Sequence, residues 1–281
     1  FSSLTDAEIT QVVDTHRAGG TFAGLASLVT EPIPNLLEQI ARLVPFAERG
    51  EIAGIHLEGP YLSHARCGAH NPDLFFEDFA DAGFDVELPR LAGHGTSVEE
   101  MMTTRWADWS GDADAAYKAL SARCKKVVVV GLSMGGALTL WLAAQHPEIA
   151  GIVCVNPAAQ PVGDEMTTGI QSMIDGGLET IDSIGSDIAD PNVKESSYDA
   201  TPLRPALSMF SEGIAPLALR YPQIKIPMLL INSVNDHVVD PAQGTFLAEQ
   251  YGGELERVML EQSFHVATQD LEKHIVNAKT L

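Results

Sequence analysis

The sequence has few cysteines and few basic residues, and each shortage argues against a class of protein. Its three cysteines, Cys67, Cys124 and Cys154, leave one unpaired in any disulfide scheme and match no metal-ligand spacing. This argues against a disulfide scaffold and favours reduced thiols. Only 17 Lys and Arg residues stand against 38 Asp and Glu residues, which gives a net charge of −21. Nucleic acid and anionic membrane surfaces are themselves negatively charged and repel a protein with this net charge, so neither is an expected partner.

Long apolar runs are also missing. No stretch approaches the roughly 18 residues that a membrane span requires, and the opening Phe1-Ser2-Ser3 with its polar continuation does not resemble a signal peptide. We therefore predict a soluble, cytoplasmic protein. The 281 residues are 45% hydrophobic and 20% charged, which is typical of a globular chain rather than a disordered one. No feature of the sequence sets an oligomeric state.

From about residue 75 onward, apolar patterns of strand and helix type alternate. Strands are predicted at 84–88, 127–130, 149–155, 228–232 and 255–260, and helices at 104–123, 135–145, 241–251 and from 268. The alternation predicts an α/β fold with a mostly parallel sheet and helices on both faces. Residues 157–225 interrupt it with frequent Pro, Gly, Ser and Asp. An insertion of this size between two strands is more typical of a small cap that covers an active site than of a separate domain.

Residues 1–73 have a pattern of their own. Thr5 or Asp6 is a candidate cap for a first helix that ends at Gly19-Gly20. A strand at 22–29, a helix at 34–49 and a strand at 52–57 then predict one βαβ unit, which could continue directly into the following sheet.

The motif Gly131-Leu132-Ser133-Met134-Gly135 is the strongest chemical signal in the chain. It lies between a strand of four valines and a predicted amphipathic helix, which is the context that a nucleophilic serine on a sharp strand-to-helix turn requires. Flanking glycines keep neighbouring Cβ atoms from clashing at such a turn. The helix N-terminus adds backbone N–H donors and a positive dipole end, which favour an oxyanion.

A serine nucleophile needs a base, and the base needs a carboxylate that holds it. Asp236 follows the strand at 228–232 and His265 follows the strand at 255–260, so both are expected at the same sheet edge as Ser133. Other candidates fit less well. His237 is expected on a surface loop or facing substrate, and Asp240, just before a proline, is expected to cap a helix. His94 follows an earlier strand, so chain order argues against it as the base, and His274 lies inside the last predicted helix, too late in the chain for that role.

Residues from about 75 to 281 resemble the carboxylesterase and monoacylglycerol-lipase branch of the α/β-hydrolase superfamily. The resemblance rests on Leu88–Thr96, the Trp106…Trp109 helix, Gly131–Gly136, Asn232–Asp240 and Ser263–Thr268. It implies an α/β-hydrolase fold and hydrolysis of short- to medium-chain acyl esters through an acyl-enzyme, with monoacylglycerols as candidate substrates and no metal or other cofactor. It also implies that Ser133 is the nucleophile, Asp236 the acid, His265 the base and the Met134 N–H one oxyanion donor.

One feature of that family is missing. Its early His-Gly-aromatic turn, which supplies the second oxyanion N–H, has no counterpart before residue 75. Residues 1–73 instead resemble part of the N-acetylglucosamine-6-phosphate deacetylases, in which the residue matching Glu58 is a metal ligand. This resemblance rests on Leu25–Thr30, Gly54–Tyr61 and Arg66–His70.

We interpret the chain as a chimera in which residues 1–73 complete the sheet of a hydrolase core at 74–281. The second oxyanion donor is then expected within residues 57–61. Pro60 has no N–H group, so the candidates are Leu57, Glu58, Gly59 and Tyr61.

Two other functions remain open at this point. The first is a metal-dependent N-acetyl amino sugar phosphate deacetylase. A barrel of that kind typically needs about 250 residues, and Glu58 alone cannot hold a divalent ion. The second is a catalytically weak hydrolase-like binding protein, which would require a collapsed oxyanion site.

Overall fold

The computed structural model describes residues 5–19, 21, 24–29, 33–58, 83–183, 185–195 and 197–280. The chain divides into two compact units, Phe1–Val86 and Glu87–Leu281. Within the described ranges, no helix combines the length and the apolar character that crossing a membrane demands.

The first unit contains the predicted βαβ arrangement. Its elements are α1 (Asp6–Ala18), β1 (Leu25–Val29), α2 (Ile33–Glu48) and β2 (Gly54–Glu58). Thr5 caps α1 through a reciprocal pair with Glu8, in which the Thr5 N–H donates to the Glu8 carboxylate at 2.7 Å. The strands β1 and β2 pair in parallel, with Leu25 opposite Gly54.

A small core holds this unit together, and it is built from Ile9, Val13, Ala26, Leu28, Leu36, Leu43, Phe46 and Ile52. Among the described residues, β1 and β2 form a two-stranded sheet. The continuation of the larger sheet by residues 52–57 therefore stays a prediction.

The second unit is built on a parallel sheet with the strand order β3-β4-β7-β8. Its strands are β3 (Val128–Leu132), β4 (Gly151–Val155), β7 (Met228–Ser233) and β8 (Leu255–Leu260). The helices that alternate with them are α3 (Val98–Met102), α4 (Trp106–Ser121), α5 (Met134–Gln145), α9 (Ala242–Gln250) and α10 (Lys273–Thr280).

Apolar side chains of the sheet pack against helices on both of its faces. In β4, Ile152 and Cys154 belong to the core that includes α4 and α5, whereas Val153 and Val155 belong to a second cluster with Val276 of α10. Because successive strand residues point to opposite faces, this distribution confirms the predicted helices on both sides.

An insertion separates β4 from β7 along the chain. It contains α6 (Asp164–Asp175), the antiparallel pair β5 (Thr180–Asp182) and β6 (Ala200–Pro202), α7 (Leu203–Ser208), a π-helical turn (Met209–Ile214) and α8 (Ala215–Ala218). The short helices and the two-stranded ribbon reflect its frequent glycines and prolines.

Three local predictions were wrong. Residues 84–88 form no strand, since a strand requires a neighbour to bond and no ladder is present there; Phe84 and Leu88 are exposed. The last helix begins at Lys273 rather than near Thr268. The helix α5 is not amphipathic, because its seven buried residues include the consecutive run from Gly136 to Leu140, which faces every side of the helix.

Candidate active site

Ser133 occupies a strained turn between β3 and α5. Its backbone has φ 56° and ψ −119°, outside the regions that non-glycine residues favour. Hydrogen bonds hold this conformation: the Ser133 N–H donates to Val155 O at 3.0 Å, and the Ser133 carbonyl accepts the Ala158 N–H at 3.1 Å. The structure therefore places Ser133 where the sequence motif predicted it, at the end of β3 and the start of a largely buried helix.

The N-terminus of α5 lies directly after this serine. Gly136 and Ala137 donate their N–H groups to Ser133 O at 3.0 and 3.2 Å. Met134 is the first residue of the helix, where an N–H group has no acceptor within the helix. The Met134 N–H is thus available beside Ser133, which is consistent with the predicted oxyanion donor.

Asp236 and His265 form a buried pair. His265 Nδ1 lies 2.8 Å from Asp236 Oδ2, and the two side chains are 8% and 1% exposed. The other carboxylate oxygen, Asp236 Oδ1, accepts the N–H groups of Val238 and Val239, each at 2.8 Å. A carboxylate held this way fixes the imidazole with its proton on Nδ1, which leaves Nε2 to accept a proton.

The other candidates take different roles. His237 Nδ1 lies 2.8 Å from Asp187 Oδ1, and its side chain is largely exposed. Asp240 accepts the Ala242 N–H at 2.8 Å at the start of α9, which confirms it as a helix cap. His274 lies inside α10, as expected.

The turn that contains His94 is held by three side chains. Trp109 Nε1 donates to Ala92 O at 2.9 Å, and the Ala92 N–H donates to Asp112 at 2.7 Å. Tyr198, from the insertion, donates to Gly93 O at 2.8 Å. Burial lowers the pKa of His94, although its hydrogen bond to the Ala92 carbonyl opposes the shift.

Asp187, from the insertion, holds the loop that carries His265. Its Oδ2 accepts the N–H groups of His265 and His237, both at 3.1 Å, and its carbonyl accepts the Val266 N–H at 3.1 Å. Burial would raise the pKa of Asp187, but the bonds from the two histidines outweigh it and the pKa lies below its usual value.

Asp270 and Glu272 hold the same loop from its other end. Asp270 accepts the Phe264 N–H at 2.8 Å and the N–H groups of Ala189 and Asp190, which belong to the insertion. Glu272 accepts the Ser263 N–H at 2.8 Å. Burial alone would raise the pKa of both carboxyls, but the hydrogen bonds from backbone N–H groups outweigh it, so both pKa values are lowered. The insertion and the His265 loop are therefore fastened to each other by carboxylates.

A further carboxyl of the insertion lies within electrostatic range of the base. Burial raises the pKa of Glu195, and the charge of His265 partly offsets that rise.

Comparison with known proteins identifies this architecture. The model of a protein family described as "Alpha/beta hydrolase family" matches residues 62–270. The chain belongs to the alpha/beta hydrolase family. The match begins within the segment predicted to resemble a deacetylase.

Two relatives of this alpha/beta hydrolase are ester hydrolases by name. A thermostable monoacylglycerol lipase from Bacillus sp. (strain H-257) is 37% identical over 241 residues, covering 84% of this chain and 91% of the relative. A solved structure from work on LipS and LipT, two metagenome-derived lipolytic enzymes, has 38% identity and a TM-score of 0.67, covering 72% of this chain and 82% of the other. The alpha/beta hydrolase fold and a serine ester hydrolase activity follow for this chain. The lipase match covers more of the chain than residues 74–281 make up, so it includes part of the N-terminal segment.

Sequence reasoning missed several residues that support the site of this hydrolase. Asp187 and Asp270 give no local signal for their role, because they join the insertion to the His265 loop through bonds to residues 78 and 81 positions away. Asn156 gives a weak local signal, because an Asn-Pro dipeptide after a strand indicates a turn. The dipeptide does not indicate which groups the Asn156 side chain bonds.

Proposed function

We propose that Ser133, His265 and Asp236 are the nucleophile, the base and the orienting acid of this ester hydrolase. The observation that carries the proposal is the buried 2.8 Å bond between His265 Nδ1 and Asp236 Oδ2, with the Asp236 carboxylate fixed by two further N–H groups. The strained conformation of Ser133 supports it, because such strain is characteristic of a nucleophile on a sharp turn.

The reaction follows from these roles. Ser133 Oγ attacks the acyl carbon while His265 Nε2 takes the hydroxyl proton, and the same proton passes to the leaving alcohol as the ester bond breaks. A water molecule then attacks the acyl-enzyme with His265 again as base, which releases the carboxylic acid and regenerates Ser133. Asp236 holds the imidazole and stabilises its positive charge in both steps.

Two backbone donors are proposed for the oxyanion. The first is the Met134 N–H at the start of α5, where no acceptor within the helix competes for it. The second is expected within residues 57–61; Leu57 and Glu58 close β2, whereas Gly59, Pro60 and Tyr61 lie outside the described residues. One such donor typically changes kcat by about 10²–10³-fold.

The proposed substrates are short- to medium-chain acyl esters, with monoacylglycerols as the candidate natural class. The similarity to a monoacylglycerol lipase supports this class. Met209 and Phe210 of the insertion, which pack partly buried against the main core, offer apolar surface for an acyl chain.

Replacement of the serine tests the assignment. We expect Ser133→Ala to abolish turnover of p-nitrophenyl butyrate and of a medium-chain monoacylglycerol, and to abolish labelling by a fluorophosphonate, while the thermal melting temperature stays near that of the wild type. Turnover that persisted in this variant would overturn the proposal. An unmodified wild-type serine after fluorophosphonate treatment would instead favour a non-catalytic binding protein.

We further propose that the deacetylase-like N-terminal segment is structural. Among its described residues, eight apolar side chains form a small core between two strands and two helices, and Glu58 alone offers too few ligands for a divalent ion. Ester turnover is therefore expected to be unchanged by a chelator such as EDTA. Loss of turnover that added metal restores would contradict this reading.

A further inference from the structure

Asn156, the first residue after β4, has a backbone conformation that side chains rarely adopt. Its φ is 42°, and it shares a positive φ with Ser133 alone among the described non-glycine residues. The residue is 2% exposed. Asparagine tolerates the left-handed region better than most residues, but the side chain here is buried. Its carboxamide must therefore have partners inside the protein.

Those partners are the two loops that carry the acid and the base. Asn156 Oδ1 accepts the Ser233 N–H at 2.7 Å, at the end of β7 and three residues before Asp236. Asn156 Nδ2 donates to the His265 carbonyl at 2.8 Å and to Ser233 Oγ at 3.0 Å. A longer contact, at 3.3 Å, joins Nδ2 to the Phe264 carbonyl. One amide thus joins the end of β7 to the loop that follows β8.

The backbone around Asn156 reaches the third loop. The preceding carbonyl, of Val155, accepts the Ser133 N–H, and the N–H of Ala158 donates to the Ser133 carbonyl. The Asn156 N–H itself donates to Ile231 O of β7 at 2.8 Å. The segment 155–158 therefore bonds the Ser133 turn through its backbone and the other two loops through one side chain.

We propose that Asn156 is a positioning residue, whose buried carboxamide fixes the His265 loop and the end of β7 relative to the Ser133 turn. The proposal rests on the proposed roles of Ser133, Asp236 and His265. Only a side chain with both a donor and an acceptor can bond the Ser233 N–H and the His265 carbonyl together. A reacting geometry displaced by about 1 Å can cost about 10²-fold in rate, so loss of this amide acts on the chemical step.

The first test is Asn156→Gly, because glycine accepts the positive φ without strain and only the side chain is removed. We expect kcat for p-nitrophenyl butyrate to fall about 10²-fold, with KM within about threefold of the wild type. The rate of fluorophosphonate labelling should fall in parallel, since it also requires the Ser133–His265 geometry. Wild-type kcat and labelling rate in this variant would overturn the proposal.

The isosteric variant Asn156→Asp adds a signature that simple destabilisation would not give. An ionised carboxylate accepts the Ser233 N–H but cannot donate to the His265 carbonyl, whereas the protonated form regains one donor. The ratio of its kcat to that of the wild type should therefore fall as pH rises from about 5 to about 8, while the ratio for Asn156→Gly stays flat. A flat ratio for both variants would contradict the donor role.

Asn232 provides a matched control. It is 3% exposed, but its amide packs against Gly244 and bonds Arg257 Nε at 3.1 Å, on the opposite face of β7 from Ser233. We expect Asn232→Ala to lower the melting temperature while kcat stays within about threefold of the wild type. An equal loss of kcat in Asn232→Ala and Asn156→Gly would refute positioning. Ser133→Ala tests the proposed roles separately, because it should be inactive whatever Asn156 does.

Discussion

Gly131 is the first glycine of the Gly131–Gly135 nucleophile motif, and its surroundings predict that a larger residue cannot fit there. A Cβ atom built at Gly131 would lie 2.1 Å from the Gly135 carbonyl oxygen and 2.5 Å from Thr139 Oγ1. The glycine on the other side of the serine, Gly135, differs, since a Cβ atom built there would meet nothing within 4 Å. The structure therefore requires glycine at 131 but leaves space for a side chain at 135, so alanine should impair the enzyme at the first position and not at the second.

The size of the effect follows from these distances. The contact at 2.1 Å falls about 0.9 Å short of the 3.0 Å below which Cβ contacts essentially never occur, and its partner is backbone rather than a flexible side chain. In Gly131→Ala the first turn of α5 must therefore move by about that amount, and Ser133 moves with it. We expect kcat/KM to fall about 10²-fold or more and overpacking to lower the free energy of unfolding by about 1–3 kcal/mol.

Gly135→Ala is the matched control within the same motif. Alanine at this helical position should leave kcat/KM within about threefold of the wild type and stabilise the helix by up to about 1 kcal/mol. The assays are steady-state hydrolysis of p-nitrophenyl butyrate, the rate of fluorophosphonate labelling and thermal melting. The steric reasoning fails if Gly131→Ala retains wild-type kcat/KM, or if both variants lose activity equally.

Three further predictions concern the carboxylates around the base. Asp236→Asn should lower kcat by about 10⁴-fold with little change in KM, because the amide can stabilise the wrong imidazole tautomer; near wild-type kcat would argue for another acid. Asp187→Ala should slow fluorophosphonate labelling about tenfold, because it removes the acceptor of the His265 N–H. Asp187→Asn keeps an acceptor and should retain most of the wild-type rate, so equal rates in the two variants would contradict this role. Asp187, Asp270 and Glu272 have pKa values lowered by folding, so their stabilisation is present above the unfolded values near 4 and is lost as pH falls through the lower folded values. The melting temperature should drop steeply below about pH 4, and less steeply in Asp270→Asn; an unchanged slope would argue against that link.

Hydrogen bonds around His265 also hold residues 187–190, a stretch of the insertion that has no helix or strand. Asp187 contributes its own backbone carbonyl as well as its carboxylate to the loop at 265–266. Asp270 bonds Ala189 and Asp190 in return. Bonds of this kind run between backbone and carboxylate, so they need no helix or strand on the insertion's side.

Local sequence was sufficient for the elements that carry the chemistry. The valine run before Ser133 and the apolar segments before Asp236 and His265 are short and continuous, and parallel strands bring their carboxyl ends to one edge. That topology, with the nucleophile motif, predicts which side chains meet. Residues 84–88 show the limit, because an apolar alternation there did not form a strand with any of the described residues.

The sequence by itself determined the order of strands and helices, the turn at Ser133 and the candidates for acid and base, because these depend on periodicity and on motifs within a few residues. Only the tertiary structure decided that the His265 imidazole bonds the Asp236 carboxylate, and that Asn156 and Asp187 hold the base loop. Those choices depend on hydrogen bonds between residues far apart in the chain. The geometry of such bonds is fixed only when the sheet has brought its loops together.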